Sequence, residues 1–496
     1  MAGQIEDRMR EYTYLYIPCR KLLVRRQLSI PLTITKMLSY LVLLPAALAW
    51  QQRPLYSNYE FNPLEHLAGI APYYEPNDPP RDPLPPQGCS VTQAAYLVRH
   101  AAINANSFDY ESYLEPFIDK LSNTTVNWSK IPELSFLDSW SAPDIVEQSK
   151  LTRTGRLEAS QLGVQMSYRY QNLKLPKNVW TSTAERTLVS AKSFVRGIEQ
   201  EEDEIKVVEI YEGEESGADS LTPYKACPAY SGSTGSEQSG EYVKTYTKPI
   251  LARLRHQAPG FNWTSNDVVA MFEMCGYDTV IRGSSPFCSE NLFRPDEWLQ
   301  FEYGQDLQYH FNSGYGAEYS GAIGYPWLNS TMILLTAERT DDDEDIYVSF
   351  THRELPPMVL VALGLYNNSA LTGANDINAT MPLDRVNYGR QWRSSRILPF
   401  LGNVAIERMD CADSFGYQNR TDSEFYRVLV NRVPLTLPDC YDGPQESCSR
   451  EMMQGYVRER AAVVGDFSDV CDVDYKNSTD VLSIYTTNTT GKAVGR

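Results

Sequence analysis

Ala94-Ala95-Tyr96-Leu97-Val98-Arg99-His100 is the stretch on which the reading of this chain turns. A short run of apolar residues predicts a strand buried on both faces, as in a parallel sheet. The run ends abruptly on a guanidinium and an imidazole. In open α/β sheets ligands bind beyond the carboxyl ends of the strands, so a charged pair at that point marks a candidate site.

Two other segments have the same form. Asn178-Val179-Trp180-Thr181-Ser182 predicts a second strand, which feeds a helix over 184–199. Arg186 falls in the first turn of that helix, where the N-terminus favours anions. Ile346-Tyr347-Val348-Ser349-Phe350-Thr351 predicts a third strand, ending at His352-Arg353-Glu354 and followed by Pro356-Pro357 and an apolar helix over 358–365. Between the first two strands, Leu151-Thr152-Arg153-Thr154-Gly155 opens an amphipathic helix over 152–171 with Thr152 as its N-cap. Strands alternating with helices predict an α/β fold built on a parallel-rich sheet with helical crossovers.

Around these elements the chain divides into an N-terminal extension with a signal peptide (1–49), an irregular arm (50–88), an α/β core (89–200 and 333–496) and a mainly helical subdomain (201–332). The arm is rich in Pro, Asn and Tyr and is expected to wrap over the surface. Residues 229–242 read as a Ser/Gly-rich loop and 243–311 as helical. Asp341–Asp345 reads as a solvated acid turn, because the ligand spacing of a calcium loop is absent. Short strands are expected at 403–407 and 427–431.

Composition narrows the class. The 496 residues are 42% hydrophobic and 11% aromatic, with a net charge of −18. That charge argues against nucleic acid as a partner, since phosphate backbones attract basic surfaces. It leaves open a small phosphorylated substrate held by a few arginines. The apolar run in 37–50 is too short to span a bilayer. With Lys36 before it and Ala47-Leu48-Ala49 after it, it reads as a signal-peptide core, with translation starting at Met37. If residues 1–36 are present, a signal anchor is the alternative. No other stable membrane partner is expected.

Nine glycosylation sequons, at Asn123, Asn127, Asn262, Asn329, Asn367, Asn378, Asn419, Asn477 and Asn488, agree with secretion and predict N-linked glycans. Apart from Cys19 there are eight cysteines, Cys89, Cys227, Cys275, Cys288, Cys411, Cys440, Cys448 and Cys471. An even set in a secreted chain predicts disulfides, of which spacing alone favours only Cys275–Cys288 and Cys440–Cys448. No Cys-x-x-Cys pair is present, so a zinc site is not expected; no other metal and no cofactor is expected either.

Only five histidines occur, and two of them, His100 and His352, stand at predicted strand ends. With Arg99, Arg186 and Glu354 they would form one pocket of two imidazoles, at least two guanidiniums and a carboxyl group. That set suits phosphoryl transfer. An imidazole can attack phosphorus, guanidiniums can stabilise the charge on the equatorial oxygens, and a carboxylic acid can protonate the leaving oxygen. Taken singly, each residue has a plainer explanation: a structural histidine, an exposed helix arginine, a metal-ligating His352. The combination carries the reading.

At these residues the chain resembles the histidine acid phosphatases, the family of fungal phytases and acid phosphatases, from about Gly88 to its end. The resemblance rests on Gly88-Cys89-Ser90-Val91, Leu97-Val98-Arg99-His100, Leu151-Thr152-x-x-Gly155, Thr181-Ser182-Thr183-Ala184-Glu185-Arg186, Met274-Cys275, Ser285-Pro286-Phe287-Cys288, Asp296-Glu297-Trp298, Gly324-Tyr325, Val348-x-Phe350-Thr351-His352 and Ala362-Leu363-Gly364-Leu365-Tyr366-Asn367. It implies a phosphoglycerate-mutase-like α/β domain with a helical subdomain over the site. It implies disulfides Cys89–Cys411, Cys227–Cys471, Cys275–Cys288 and Cys440–Cys448. It also implies His100 as nucleophile, Glu354 as proton donor, His352 as a further catalytic contact, and Arg99 and Arg186 as substrate-binding residues.

Two departures stand out. The family's Arg-His-Gly-x-Arg-x-Pro reads Arg99-His100-Ala101-Ala102-Ile103-Asn104-Ala105, so the glycine, second arginine and proline are replaced. Ala101 requires a backbone free of glycine-only angles. The usual His-Asp reads His352-Arg353-Glu354, like the His-x-Glu variant of the inositol polyphosphate phosphatases. Arg353 is a candidate for the lost positive charge, although on an ideal strand it would point away from His352. The expected activity is hydrolysis of phosphate monoesters, phytate among them, at acidic pH. The competing reading is a weakened relative that binds phosphorylated ligands. Mutase-type transfer between metabolites is disfavoured by secretion.

Overall fold

The predicted strand at 94–98 is the second half of β1, Cys89–Arg99. Its alternation divides the core: Ala95 and Leu97 enter one apolar layer, while Ala94, Tyr96 and Val98 enter the other. The sheet continues with β2 (Asn178–Ser182), β3 (Lys206–Ile210), β4 (Ile346–Thr351), β5 (Asn403–Cys411), β6 (Glu424–Val430), β7 (Val433–Leu435) and β8 (Cys448–Ser449). The strand order is β3-β2-β4-β1-β5-β6-β7, with β8 on β6. The first four are parallel to one another, and β5 to β8 continue antiparallel. The three strands that end on Arg99-His100, Ser182 and His352 are therefore neighbours pointing the same way, which brings their ends to one edge.

The longer helices are α1 (Arg153–Arg169), α2 (Glu185–Ile198), α3 (Ser236–Gln257), α4 (Ser265–Arg282), α5 (Pro295–Ser313), α6 (Ser320–Thr336), α7 (Leu355–Ala362) and α8 (Arg450–Val464). One face of the sheet is covered by α1 and α2 through Leu162, Met166 and Phe194. The other is covered by α6, α7 and α8 through Trp327, Met358, Val359 and Met453. Thr152 caps α1, its hydroxyl accepting from Gly155 N at 3.0 Å.

A computed structural model of the chain describes residues 61–75, 81–143, 147–198, 205–339, 343–368, 380–412, 423–474 and 479–485. The expected extension and signal peptide over 1–49, with Cys19, lie outside these residues, as do the sequons at Asn378, Asn419, Asn477 and Asn488. Among the described residues no helix is long and apolar enough to cross a membrane. Cys89–Cys411, Cys227–Cys471, Cys275–Cys288 and Cys440–Cys448 are bonded.

Several expectations are corrected. The arm does not merely lie on the surface: Leu67, Ala68 and Ala71 are completely buried. The Ser/Gly-rich stretch is loop only to Gly235, whose φ of +88° makes the turn into α3 at Ser236. Burial of Tyr242, Tyr246, Ile250 and Leu254 on one face of α3 outweighs the poor helix propensity of its start. Strand β3 falls inside 201–332, so that segment contributes the sheet's edge strand as well as helices. Helix α7 starts at Leu355, because prolines in a first turn sacrifice no intrahelical bond. The end of the acid turn is not solvated. Glu344 is buried and accepts from Lys177 N at 3.0 Å and Asn178 Nδ2 at 2.7 Å. Asp345 is buried too, accepting from Lys174 N at 2.8 Å and pairing with Arg339.

Candidate active site

His100 follows β1 directly and is held by its backbone on both sides. Its N–H donates to Thr351 O of β4 at 2.9 Å, and its carbonyl accepts from Leu401 N at 3.2 Å. Its ring Nδ1 lies 2.9 Å from Ala101 O. A carbonyl can only accept, so Nδ1 carries the proton and Nε2 keeps its lone pair. Burial, followed by the positive charges of Arg99 and Arg186 and by His352, holds this imidazole well below its ordinary range. Ala101 lies outside the left-handed region and donates its N–H to Ser190 Oγ of α2 at 2.9 Å.

The ring of His352 sits 5.8 Å from that of His100, centroid to centroid, edge to face. Arg186 Nε donates to His352 Nδ1 at 3.1 Å, which leaves the proton on Nε2. That nitrogen faces Glu212 Oε1 at 3.3 Å and Ser182 Oγ at 3.4 Å. Burial lowers the His352 imidazole, partly countered by the hydrogen bond to Glu212. Glu212 also accepts from Ala184 N at 3.0 Å, at the start of α2, and pairs with Lys225. Burial would raise its carboxyl, but His352 and Lys225 hold it far below the carboxylate range.

Arg99 is almost entirely buried. Its NH1 donates to Gly69 O of the arm and to Leu398 O, both at 2.6 Å, and its guanidinium lies 4.6 Å from the Phe400 ring centroid. Nε has no partner among the described residues. Burial pulls the guanidinium down to about 10, so it remains a cation in acid and at neutrality.

Beyond β4 the chain leaves the ladder, so strand alternation does not govern Arg353. It donates from Nε to Glu354 Oε1 at 3.1 Å and from NH1 to Tyr309 OH at 3.4 Å. Its charge is felt at Arg99. Burial would raise the Glu354 carboxyl, but Arg353 and then His352 hold it below its ordinary value. Ile103 is 5% exposed, forms an antiparallel bridge with Leu151 and belongs to the apolar layer under α1 and α2.

The residues singled out from sequence thus converge: His100, His352, Arg99, Arg186, Arg353 and Glu354 surround one edge of the sheet. Sequence reasoning missed Glu212, Ser182 and Tyr309. A signal for Glu212 existed in Lys206-Val207-Val208-Glu209-Ile210, a short β-like run ending just before it.

The family model described as histidine phosphatase superfamily (branch 2) matches residues 90–431. The chain belongs to that family. It is 31% identical over 410 residues to a thiamine-repressible acid phosphatase of Schizosaccharomyces pombe, covering 78% of this chain and 84% of that protein. It is 29% identical over 451 residues to a phytase of Candida albicans, covering 85% and 92%. In fold it is similar to the phytase from D. castellii, with a TM-score of 0.78 over 90% of this chain and 95% of that one at 24% identity. This histidine phosphatase is a phosphoric monoester hydrolase of the acid phosphatase and phytase type.

Proposed function

We propose that the chain is a secreted, N-glycosylated acid phosphatase that hydrolyses small organic phosphates through a phosphohistidine on His100. The observation that carries the mechanism is the hydrogen bond from His100 Nδ1 to Ala101 O, which keeps the proton on Nδ1 and leaves the Nε2 lone pair to act as nucleophile. In the first step Nε2 attacks phosphorus, the P–O ester bond breaks, and the leaving oxygen takes the Glu354 proton. In the second, water attacks the phosphohistidine and gives its proton to the Glu354 carboxylate. The N–P bond breaks and inorganic phosphate leaves.

Arg99 Nε and the two outer nitrogens of Arg186 bind the equatorial oxygens. His352, held by Arg186 and Glu212, donates to the same oxygens when it turns its Nε2–H from Glu212. Arg353 aligns Glu354 and adds positive charge. Because Glu354 lies low, its acid form declines as pH rises from the acidic range, while His100 stays neutral in acid. Activity therefore peaks at acidic pH. The substrate class follows the acid phosphatases and phytase to which the chain is similar. Secretion is supported by the exposed sequons Asn123, Asn127 and Asn262 and by the four disulfides.

The test is His100→Ala assayed on p-nitrophenyl phosphate, with acid quenching of the parent to trap the phosphoenzyme. Loss of roughly 10³-fold or more in kcat is expected, with label recovered on His100. Activity that survives the substitution would overturn the assignment. Phosphate binding in the parent without turnover would replace it with a binding role.

A further inference from the structure

The N-terminal arm meets the site at Gly69. The carbonyl of Gly69 accepts from Arg99 NH1 at 2.6 Å, and Leu398 O accepts from the same nitrogen at 2.6 Å. NH1 carries two hydrogens, so both are committed. A guanidinium is planar, and fixing NH1 fixes the direction of the whole group. What is left for a phosphate is the other edge, where Nε has no partner among the described residues. The arm is itself held on both sides of this carbonyl. Ala68 N donates to Ser395 Oγ at 2.9 Å, and Ala71 O accepts from Phe400 N at 2.9 Å.

The side that Gly69 leaves bare faces the support of a second cation. A Cβ on Gly69 would lie 2.6 Å from Tyr309 OH, 3.2 Å from Leu398 Cδ1 and 3.3 Å from Tyr309 Cζ. Gly69 is not in the left-handed region, so this contact, and not its backbone angles, is what excludes a side chain. Tyr309 is 7% exposed, and its hydroxyl accepts from Arg353 NH1 at 3.4 Å. Arg353 in turn donates to Glu354. One residue of the arm therefore bears on two guanidiniums: on Arg99 through its oxygen, and on Arg353 through the hydroxyl it lies against. Like charges repel, so the two cations keep their places only through supports of this kind.

We propose that Gly69 is a positioning residue of the phosphate clamp, aiming Arg99 with its carbonyl and keeping Arg353 in place through Tyr309, so that the arm is a working part of the active site. This role rests on the phosphatase reading above. Gly69→Ala has to push aside either the Tyr309 hydroxyl or the arm carbonyl, and either movement shifts a cation. On p-nitrophenyl phosphate, kcat/KM should fall on the order of 10²-fold, with KM and the Ki for inorganic phosphate each raised about tenfold. A merely structural defect leaves fewer active molecules, which lowers kcat and leaves KM and Ki as they were; that pattern overturns the proposal.

Tyr309→Phe deletes the hydroxyl that the new methyl group would meet. Alone it should raise Ki about threefold, because Arg353 loses an acceptor. In Gly69→Ala/Tyr309→Phe the alanine should then cost less than about threefold beyond Tyr309→Phe, since the two changes share one contact. Costs that multiply overturn the proposal, and a Tyr309→Phe protein with the parent's Ki overturns the link to Arg353. Should Gly69→Ala alone not fold, a folded double variant with the Ki of Tyr309→Phe supports the proposal, and a double variant that does not fold either overturns it. Failure of the phosphatase reading is seen separately, as no turnover of any ester by the parent. Calorimetry with inorganic phosphate then decides the role of Gly69: binding weakened in Gly69→Ala and restored in the double variant to the level of Tyr309→Phe supports it, and equal binding by the parent and Gly69→Ala overturns it.

Discussion

Ile103 occupies the place of the family motif's second arginine, and its surroundings explain why the position is not simply a vacated charge. Its backbone pairs with Leu151 in an antiparallel bridge, and its side chain is buried in the apolar layer with α1 and α2. Restoring the arginine would bury a guanidinium in that apolar layer, at a cost of about 3 kcal/mol or more. Ile103→Arg is therefore expected to lower the midpoint of thermal unfolding without raising kcat/KM. A variant as stable as the parent and faster on p-nitrophenyl phosphate would contradict this. The positive charge of the site has to come from Arg99, Arg186 and Arg353. The first two were legible because they adjoin strand ends. The place of Arg353 was not, because the alternation rule assumes a strand and β4 ends at Thr351.

At the scale of elements, the segment after His100 is clamped by the N-terminus of α1. Thr152 N donates to Ala102 O at 3.0 Å, and Gly155 packs so closely that an added Cβ would lie 2.2 Å from that carbonyl oxygen and 2.9 Å from Ala102 N. Those are backbone atoms and cannot rotate aside. Gly155→Ala must displace the segment that bears Ala101, whose carbonyl sets the His100 tautomer. A misplacement of about 1 Å can cost on the order of 10²-fold in rate. The expected outcome is a fall in kcat of that order with helical circular dichroism retained; unchanged kcat would show that the clamp does not position His100. The spacing from Leu151 to Gly155 signalled a helix start. It did not signal the contact across to Ala102, which depends on how α1 is laid on the sheet. Glu212 was hidden for a related reason: β3 is an edge strand inside a segment dominated by helices, and only pairing with β2 brings its end beside His352.

Over the whole molecule, buried carboxyl groups bias stability toward acid. Glu158 on α1 has an oxygen without a partner among the described residues, and burial pushes its carboxyl up to about 7. The unfolded chain loses this proton near pH 4.5, so stability falls as pH rises from there to about 7. Glu158→Gln should leave the unfolding midpoint unchanged at pH 4 and raise it at pH 7.5, by the equivalent of about 3 kcal/mol. A gain at pH 4 as large as at pH 7.5 would refute the linkage. Glu407 acts at the other limit. Burial would raise it, but Arg427 and Arg169 hold it below the ordinary range, so its contribution, complete above its unfolded value, is lost only when pH falls through that lower value. The two effects together suit a protein that works in acid.

Residue order alone was enough for the family, the α/β pattern and the ends of three strands, because a strand buried on both faces leaves an uninterrupted apolar run and its polar terminus is then conspicuous. It was also enough to notice that a motif arginine had become isoleucine. Pairing decided the rest. Adjacent, parallel β2, β4 and β1 bring Arg186, His352 and His100 together; packing places Gly69 on Arg99; and the turn after β4 sets Arg353 between Glu354 and Tyr309. Those contacts join residues up to several hundred positions apart, and local propensity carries no information about them. The charge of the site is therefore a property of the folded sheet edge, and Ile103 takes no part in it.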